Sequence, residues 1–480
     1  MLARRSRSCS RSKEGKPQIT RMMQIVICVI CVICGLQTKL SYLLIPNEVF
    51  ANDATIWVAA INENLNPAAT VLEYGSNQVA LNSGWSTFRT ADGNYTINYQ
   101  RVALHNLTQQ TRYFLTLRVA GAWKADASID TIPWRLPGPA DPPFVVMLGS
   151  CFCGREDPNG HVGRTYMNVP AAARPHIKFL CGDQVYLDDP WYDFLNPARS
   201  RNWLEHRSFK IYLDNWSQQT AEGGFGQLLK NGANFFSSDD HEFWNNAPDV
   251  GFDVPFFTVR RKGREEWWEI ATNLYKIFQT VPGAPVRFNI DPLSFCICET
   301  RFNRGSAGGD FMLTANLQEI GNWTRSLNGP GVLVLGQPLF ADKGSRLDYG
   351  LPDFTNQYNE LKRYLRESQH SIVILTGDVH FGRIAVTDLR PELGTKLYEL
   401  ISSPMQVIPG AAAKYAPAPQ VFGQVSSELD FSRGRNHFLT LEFTAPSPQR
   451  VSLFPRFWPI AQSGMPIQSQ DILRVPIELI

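Results

Sequence analysis

Four short apolar runs in this chain each end in a cluster of metal-capable polar residues, and this repeated arrangement limits the fold more than any other feature. Phe144-Val-Val-Met-Leu148 leads into Gly149-Ser150-Cys151, and Ile177-Lys-Phe-Leu180 into Cys181-Gly182-Asp183-Gln184-Val185-Tyr186. Asn234-Phe-Phe-Ser237 leads into Ser238-Asp239-Asp240-His241-Glu242, and Ile372-Val-Ile-Leu375 into Thr376-Gly377-Asp378-Val379-His380. Short apolar runs bounded by turn signals are the pattern of buried strands, which predicts a layered α/β domain. In such folds the loops at the carboxyl ends of neighbouring strands converge on one crevice, so residues far apart in sequence meet there. Gly182 and Gly377, each just ahead of an acid, permit the tight turn that aims a carboxylate into that crevice.

Each cluster alone has an ordinary reading. Gly-Asp at a strand end is commonly a turn in which Asp bonds its own backbone. Asp239 or Asp240 reads as a helix N-cap with Glu242 in the first turn. Cys151 reads as a small buried hydrophobe. It is the presence of all four, each directly behind an apolar strand, that turns them into a candidate site.

The rest of the chain divides into distinct stretches. Residues 1–38 form an extension or signal-like segment, residues 39–134 an all-β unit, residues 135–143 a proline-rich linker, and residues 144–480 the α/β domain. Strands are predicted at 54–60, 69–74, 95–104, 112–119 and 128–132. Tyr113 sits where immunoglobulin-like sandwiches tie a tyrosine hydroxyl back to nearby backbone. In the α/β domain, further strands are predicted at 294–299, 331–335, 396–401, 438–443 and 451–454. Helices are predicted at 201–216, 264–278, 315–327 and 355–367 from apolar spacings of three and four.

A formal charge of +2, from 46 basic and 44 acidic residues, provides no field for steering toward nucleic acid or an anionic membrane. Cys151, Cys153, Cys181, Cys296 and Cys298 lie outside the first 38 residues, an odd number that reads as buried thiols or metal ligands rather than a disulfide framework. Seven basic residues from Arg4 to Arg21 precede the apolar run Met22 to Leu36. That pattern resembles a signal peptide, without a small-x-small cleavage site and too short for a firm membrane span. Export to the periplasm or beyond follows if it acts as one, and a cytoplasmic location if it does not.

Taken together, the motifs resemble the PhoD-like (alkaline phosphatase D) family of calcineurin-like metallophosphoesterases. To the four clusters the resemblance adds Glu299-Thr-Arg301, Phe-Asn-Arg304, the Met312 to Gln318 helix entry and Leu400-Ile-Ser-Ser403-Pro404, so that it covers most of the chain. It implies a two-layered β-sheet core flanked by helices, preceded by a small immunoglobulin- or fibronectin-like sandwich. Carried over by position, it implies one metal on Cys151, Asp183, Tyr186 and His380, and a second on Asp183, Asp240 and Asp378, with Asp183 bridging. Thiolate, phenolate and imidazole donors suit ferric iron, and zinc also accepts Cys and His. An all-carboxylate set suits calcium, magnesium or manganese. The resemblance favours iron with calcium.

The implied activity is hydrolysis of phosphomonoesters or phosphodiesters by a metal-activated water, on a small phosphate-ester substrate. His241 is expected to protonate the leaving group or contact the phosphate, and Arg301 and Arg155 to contact phosphate oxygens, with a surface ion pair the equal reading for Arg155. Asn245 and Asn246 read as turn residues in preference to groups that orient the ligands, Asp188 and Asp189 as a solvated loop in preference to outer ligands, and Cys153 as a thiol able to pair with Cys151 or replace it. The insertions from Trp191 to Gly226 and from Phe252 to Glu269 are the expected pocket walls. The competing reading is an inactive binding or adhesion protein on the same scaffold; retention of the whole ligand set argues against it. A serine hydrolase lacks support because no Gly-x-Ser-x-Gly elbow follows a strand.

Overall fold

The computed structural model describes residues 41–480 apart from 197–198, 221–222, 250–260, 307, 342–348, 408–419, 423 and 426. The segment expected over residues 1–38 and the start of the insertion from Phe252 lie outside the described residues.

Eight strands come first: β1 (Tyr42–Val49), β2 (Ala54–Ile61), β3 (Thr70–Tyr74), β4 (Asn77–Ala80), β5 (Ser86–Arg89), β6 (Thr96–Leu104), β7 (Arg112–Val119) and β8 (Ala122–Asp130). They form two antiparallel four-stranded sheets, ordered β1-β2-β6-β5 and β4-β3-β7-β8. Alternation along β7 turns Leu115 and Leu117 inward and leaves Phe114 exposed; the inward set joins Leu44, Ile56, Leu72 and Ile129 in one core. The Tyr113 hydroxyl accepts a hydrogen bond from the Thr108 amide at 2.9 Å, the tie expected of it. β1 was not predicted: Leu44 packs in one core and Leu43 and Ile45 in another, so both faces are covered and no alternation remains to be read. β4 and β5 are four residues each and largely exposed, with Val79 and Phe88 their half-buried apolar residues, too short a run to read as a strand. The proline-dense stretch 136–143 forms neither helix nor strand.

The remaining strands are β9 (Phe144–Gly149), β10 (Ile177–Cys181), β11 (Ala233–Ser237), β12 (Val286–Ile290), β13 (Leu293–Ile297), β14 (Gly331–Val334), β15 (Ile372–Thr376), β16 (Arg383–Arg390) and β17 (Thr395–Ile401). After these come β18 (Gln420–Val421), β19 (Gln424–Val425), β20 (Ser427–Asp430), β21 (His437–Ser447), β22 (Arg450–Pro459), β23 (Gln470–Asp471) and β24 (Ile477–Leu479). One seven-stranded sheet runs β11-β10-β9-β21-β22-β23, with β24 also on β22; the other runs β12-β13-β14-β15-β17-β16-β20. β9, β10 and β11 are parallel neighbours, as are β13, β14, β15 and β17.

The two sheets share one core. The Phe295 ring of β13 lies 6.4 Å from Phe144, 5.9 Å from Phe179 and 6.3 Å from Phe443, all on the opposite sheet. Helices Arg201–Trp216 and Arg261–Phe278 supply Leu204, Phe209 and Leu274 to a second core with Met147, Leu180 and Phe236 of the first sheet. Helices Thr314–Ser326 and Thr355–Glu367 supply Leu317, Ile320, Leu361 and Leu365 to a third core with Leu333, Ile372 and Ile374 of the other. Ser200 caps the first of these helices, its hydroxyl accepting from the Trp203 amide. The four helices predicted from apolar spacing all form. Among the described residues no helix is long and apolar enough to cross a membrane.

Candidate metal centre

The four clusters follow β9, β10 and β11 of one sheet and β15 of the other. Their turns are tied to one another through backbone: the amides of Cys151, Phe152 and Gly182 donate to the carbonyls of Gly182, Asp183 and Ser237. Cys151, Asp183, Asn246, Asp378 and His380 all lie in the left-handed region, with φ between 57° and 70°. Such strain in residues other than glycine collects at functional sites, where the surrounding structure holds it. Gly182, at φ 82°, has a second reason to be glycine, since an added Cβ would stand 2.5 Å from the Asp239 Cβ. At Gly377 the Cβ would stand 2.4 Å from the Ser150 hydroxyl and 2.5 Å from the Cys181 carbonyl. These glycines allow one motif to touch the next as well as turning the chain.

The side chains meet accordingly. Cys151 Sγ lies 3.3 Å from an Asp183 oxygen and 3.1 Å from the Ser403 hydroxyl. The Tyr186 hydroxyl lies 3.1 Å from His380 Nε2, and its ring stacks on His241 at 4.1 Å between centroids. Three groups offer ligand atoms within 4.8 Å of one another: Cys151 with Asp183 and His380; Asp183 with Asp240 and His241; and Asp239 with Asp240 and Asp378. Among the described residues, Asp239 Oδ2 and Asp240 Oδ1 are buried without a hydrogen-bond partner, a costly state for a carboxylate oxygen.

Charge points the same way. Burial, then the nearby Asp183 and Asp378 carboxylates, pushes the Cys151 thiol well above its ordinary range. Burial, then Cys151 and Asp183, does the same to the Tyr186 phenol. Burial also raises Asp183, against the pull of His241. His241 is held protonated well above its usual range because Asp188 and Asp240 outweigh its desolvation, whereas burial and the neighbouring His241 lower His380 to about 4. A thiol, a phenol and several carboxylates are crowded away from water here, and the positive charge that faces them comes from His241 and, behind Asp239, from Arg301. A bound cation would add to that charge and draw the protons off its ligands, so the residues present fit a metal site.

Residues outside the expected ligand set complete the arrangement. Glu242, fully buried, accepts hydrogen bonds from the amides of Asp183, Gln184 and Asp239, locking the second cluster onto the third. The N-cap reading of the third cluster also holds: Asp239 precedes a one-turn 3-10 helix, Asp240–Glu242, and Asp240 still reaches the site. Asp188 is not in a solvated loop. It is buried, with one oxygen 2.7 Å from His241 Nδ1 and the other accepting from the Asn245 amide. Asn246 lies in a turn, as expected, and its amide also donates to Asp240 at 2.6 Å.

Arg301, expected to meet a phosphate, is buried behind the carboxylates, where its Nε donates to Asp239 at 2.6 Å and another nitrogen to the Ala247 carbonyl. Arg155 pairs with Asp189 at 2.7 Å and is about half exposed, the surface-pair alternative. Cys151 and Cys153 are separate thiols, and Cys153 faces Asp189. The i,i+3 spacing of Asp239 and Glu242, the acidic pair after Tyr186 and the asparagine pair after the third cluster were the sequence signals for these additional residues.

No protein-family model and no curated protein matches this chain. A solved structure titled "Structure of PhoD" superposes on it with a TM-score of 0.61, over 90% of this chain and 88% of that chain, at 14% identity. The fold is PhoD-like. PhoD and this chain therefore share a mixed α/β architecture at an identity low enough that the likeness concerns the fold.

Proposed function

We propose that the protein is a metal-dependent phosphoesterase with a binuclear site, one cation on Cys151, Asp183, Tyr186 and His380 and the other on Asp183, Asp240 and Asp378. The observation that carries this reading is a set of three overlapping triads, Cys151 with Asp183 and His380, Asp183 with Asp240 and His241, and Asp239 with Asp240 and Asp378, each with its ligand atoms within 4.8 Å of one another. The PhoD-like fold supports it. So does the sequence resemblance, which assigns residues 39–134 to a fibronectin-like sandwich, 135–143 to a linker and 144–480 to a calcineurin-like catalytic domain.

The thiol, phenol and imidazole donors favour ferric iron, and the carboxylates favour calcium or another hard divalent ion. When bound, such a pair polarises a phosphoryl oxygen and lowers the pKa of water. The chain's own residues do the rest. His241 Nδ1 is engaged by Asp188, so Nε2 is the nitrogen left to carry a proton to the leaving oxygen. Asp188 fixes that tautomer and favours the charged ring. Arg301 balances the carboxylates from behind, through Asp239. The substrate is a small phosphomonoester or phosphodiester.

Elemental analysis coupled to a panel of chromogenic phosphate esters tests the reading. Stoichiometric iron with a second divalent metal is expected, together with hydrolysis that falls at least a hundredfold in Asp183→Asn while the circular-dichroism spectrum is unchanged. Protein free of metal, or wild-type turnover in that variant, would overturn it.

A further inference from the structure

Behind the site, three successive parallel strands of the second sheet, β13, β14 and β15, are followed by loops that supply Arg304, Gln337 and Asp378. Arg304 donates to Gln337 Oε1 at 2.7 Å, and Gln337 Nε2 donates to Asp378 Oδ2 at 2.9 Å. Arg304 and Gln337 are 5% and 2% exposed, so water does not substitute for either contact. Arg304 is itself pinned, its other nitrogens donating to the carbonyls of Thr300 and Tyr349 and its guanidinium lying 4.9 Å from the Phe354 ring centre.

The chemistry leaves the amide a single orientation. A guanidinium only donates and a carboxylate only accepts, so the glutamine must turn its oxygen to Arg304 and its nitrogen to Asp378. Reversed, it would set donor against donor and acceptor against acceptor. Asp378 is thereby held at one oxygen, in the position where it offers a ligand atom within 4.8 Å of those of Asp239 and Asp240. A pinned cation, an amide with one allowed orientation and a carboxylate form a chain that fixes the direction of the last member.

We propose that Gln337, oriented by Arg304, is a positioning residue that aims the Asp378 carboxylate at the divalent cation of the centre. The inference rests on the binuclear reading above and adds to it a residue pair that sets the affinity of one of the two sites. Partners that orient a ligand in this way typically govern about ten- to a hundredfold of metal affinity.

The test uses full-chain protein loaded with Mn2+ and dialysed against graded EDTA, with retained metal read by elemental analysis and folding by circular dichroism. Gln337→Met matches the side chain in size and cannot bridge. It is expected to release one Mn2+ at about tenfold lower EDTA than wild type, or less still, and to hold the other as wild type does, because the other ligand set does not include Asp378. Arg304→Lys keeps a donor facing the amide oxygen and is expected to retain the wild-type curve, whereas Arg304→Met follows Gln337→Met. Coincident curves for wild type and Gln337→Met would overturn the inference while leaving the metal centre standing. Loss of both ions together with the ellipticity would overturn it too, by assigning Gln337 to general folding. Wild-type protein that retains no Mn2+ at any EDTA level would refute the binuclear reading itself, and the inference with it.

Discussion

Glu242 illustrates how much of the site rests on single buried groups. Its two oxygens accept from three backbone amides in two clusters and from the Gln279 side chain, and burial still pushes its carboxyl up to about 7. Tyr186 is the residue whose role has the clearest optical signature. If it binds ferric iron, Tyr186→Phe removes the visible phenolate absorption while iron content is retained; an unchanged spectrum would exclude the tyrosine as a ligand. His437, outside the ligand set, makes a prediction about acid stability. Burial lowers it to about 4, and its Nε2 has no hydrogen-bond partner among the described residues. The unfolded chain takes up a proton near pH 6.5 that the folded chain refuses until about pH 4. Stability contributed by the neutral ring is therefore present above about pH 6.5 and declines as pH falls toward 4, by roughly 3 kcal/mol. Urea unfolding at pH 7 and pH 5 measures this; His437→Leu should show a shallower loss between the two, and an identical loss would sink the assignment.

At the level of elements, strands buried on both faces and amphipathic helices were legible from the chain. The helices Arg201–Trp216 and Thr355–Glu367 match their predicted bounds, and β9, β10 and β15 differ from theirs by a single residue. Among the strands not predicted are β12, a five-residue edge strand whose Val286, Phe288 and Ile290 alternate with the exposed Arg287 and Asn289, and β16, which pairs antiparallel with β17 on one side and β20 on the other. The turns carry the element-level prediction. Gly377→Ala forces a Cβ into the Ser150 hydroxyl and the Cys181 carbonyl, neither able to retreat far from its own turn. The expected cost is about 1–3 kcal/mol of stability, with metal content falling as the β9, β10 and β15 turns separate. A variant with wild-type melting and metal content would show the fit to be looser than described.

At the scale of the molecule, the centre depends on how two sheets sit against each other, because β15 belongs to one and β9, β10 and β11 to the other. Phe295 is the buried ring that meets three phenylalanines of the opposite sheet. Phe295→Ala should destabilise the protein by about 3–5 kcal/mol in urea unfolding and, because it loosens the contact that sets the four clusters together, lower metal retention without touching a ligand. Loss of less than about 1 kcal/mol would show that the sheets are held elsewhere.

By itself, the sequence determined that there would be buried strands, where most of them run, and which residue types wait at their ends, because hydrophobic periodicity and turn chemistry act over a few neighbouring residues. Even Tyr113, whose hydroxyl ties to an amide five positions away, belongs to that local class. Only the tertiary structure decided that the fourth cluster comes from a different sheet, that Asp188 turns inward to His241, that Arg301 lies behind the carboxylates, and that Gln337 reaches Asp378. The physical reason is that these contacts join residues tens to hundreds of positions apart. Their geometry is set by the packing of one sheet on the other, and neither spacing nor composition encodes it.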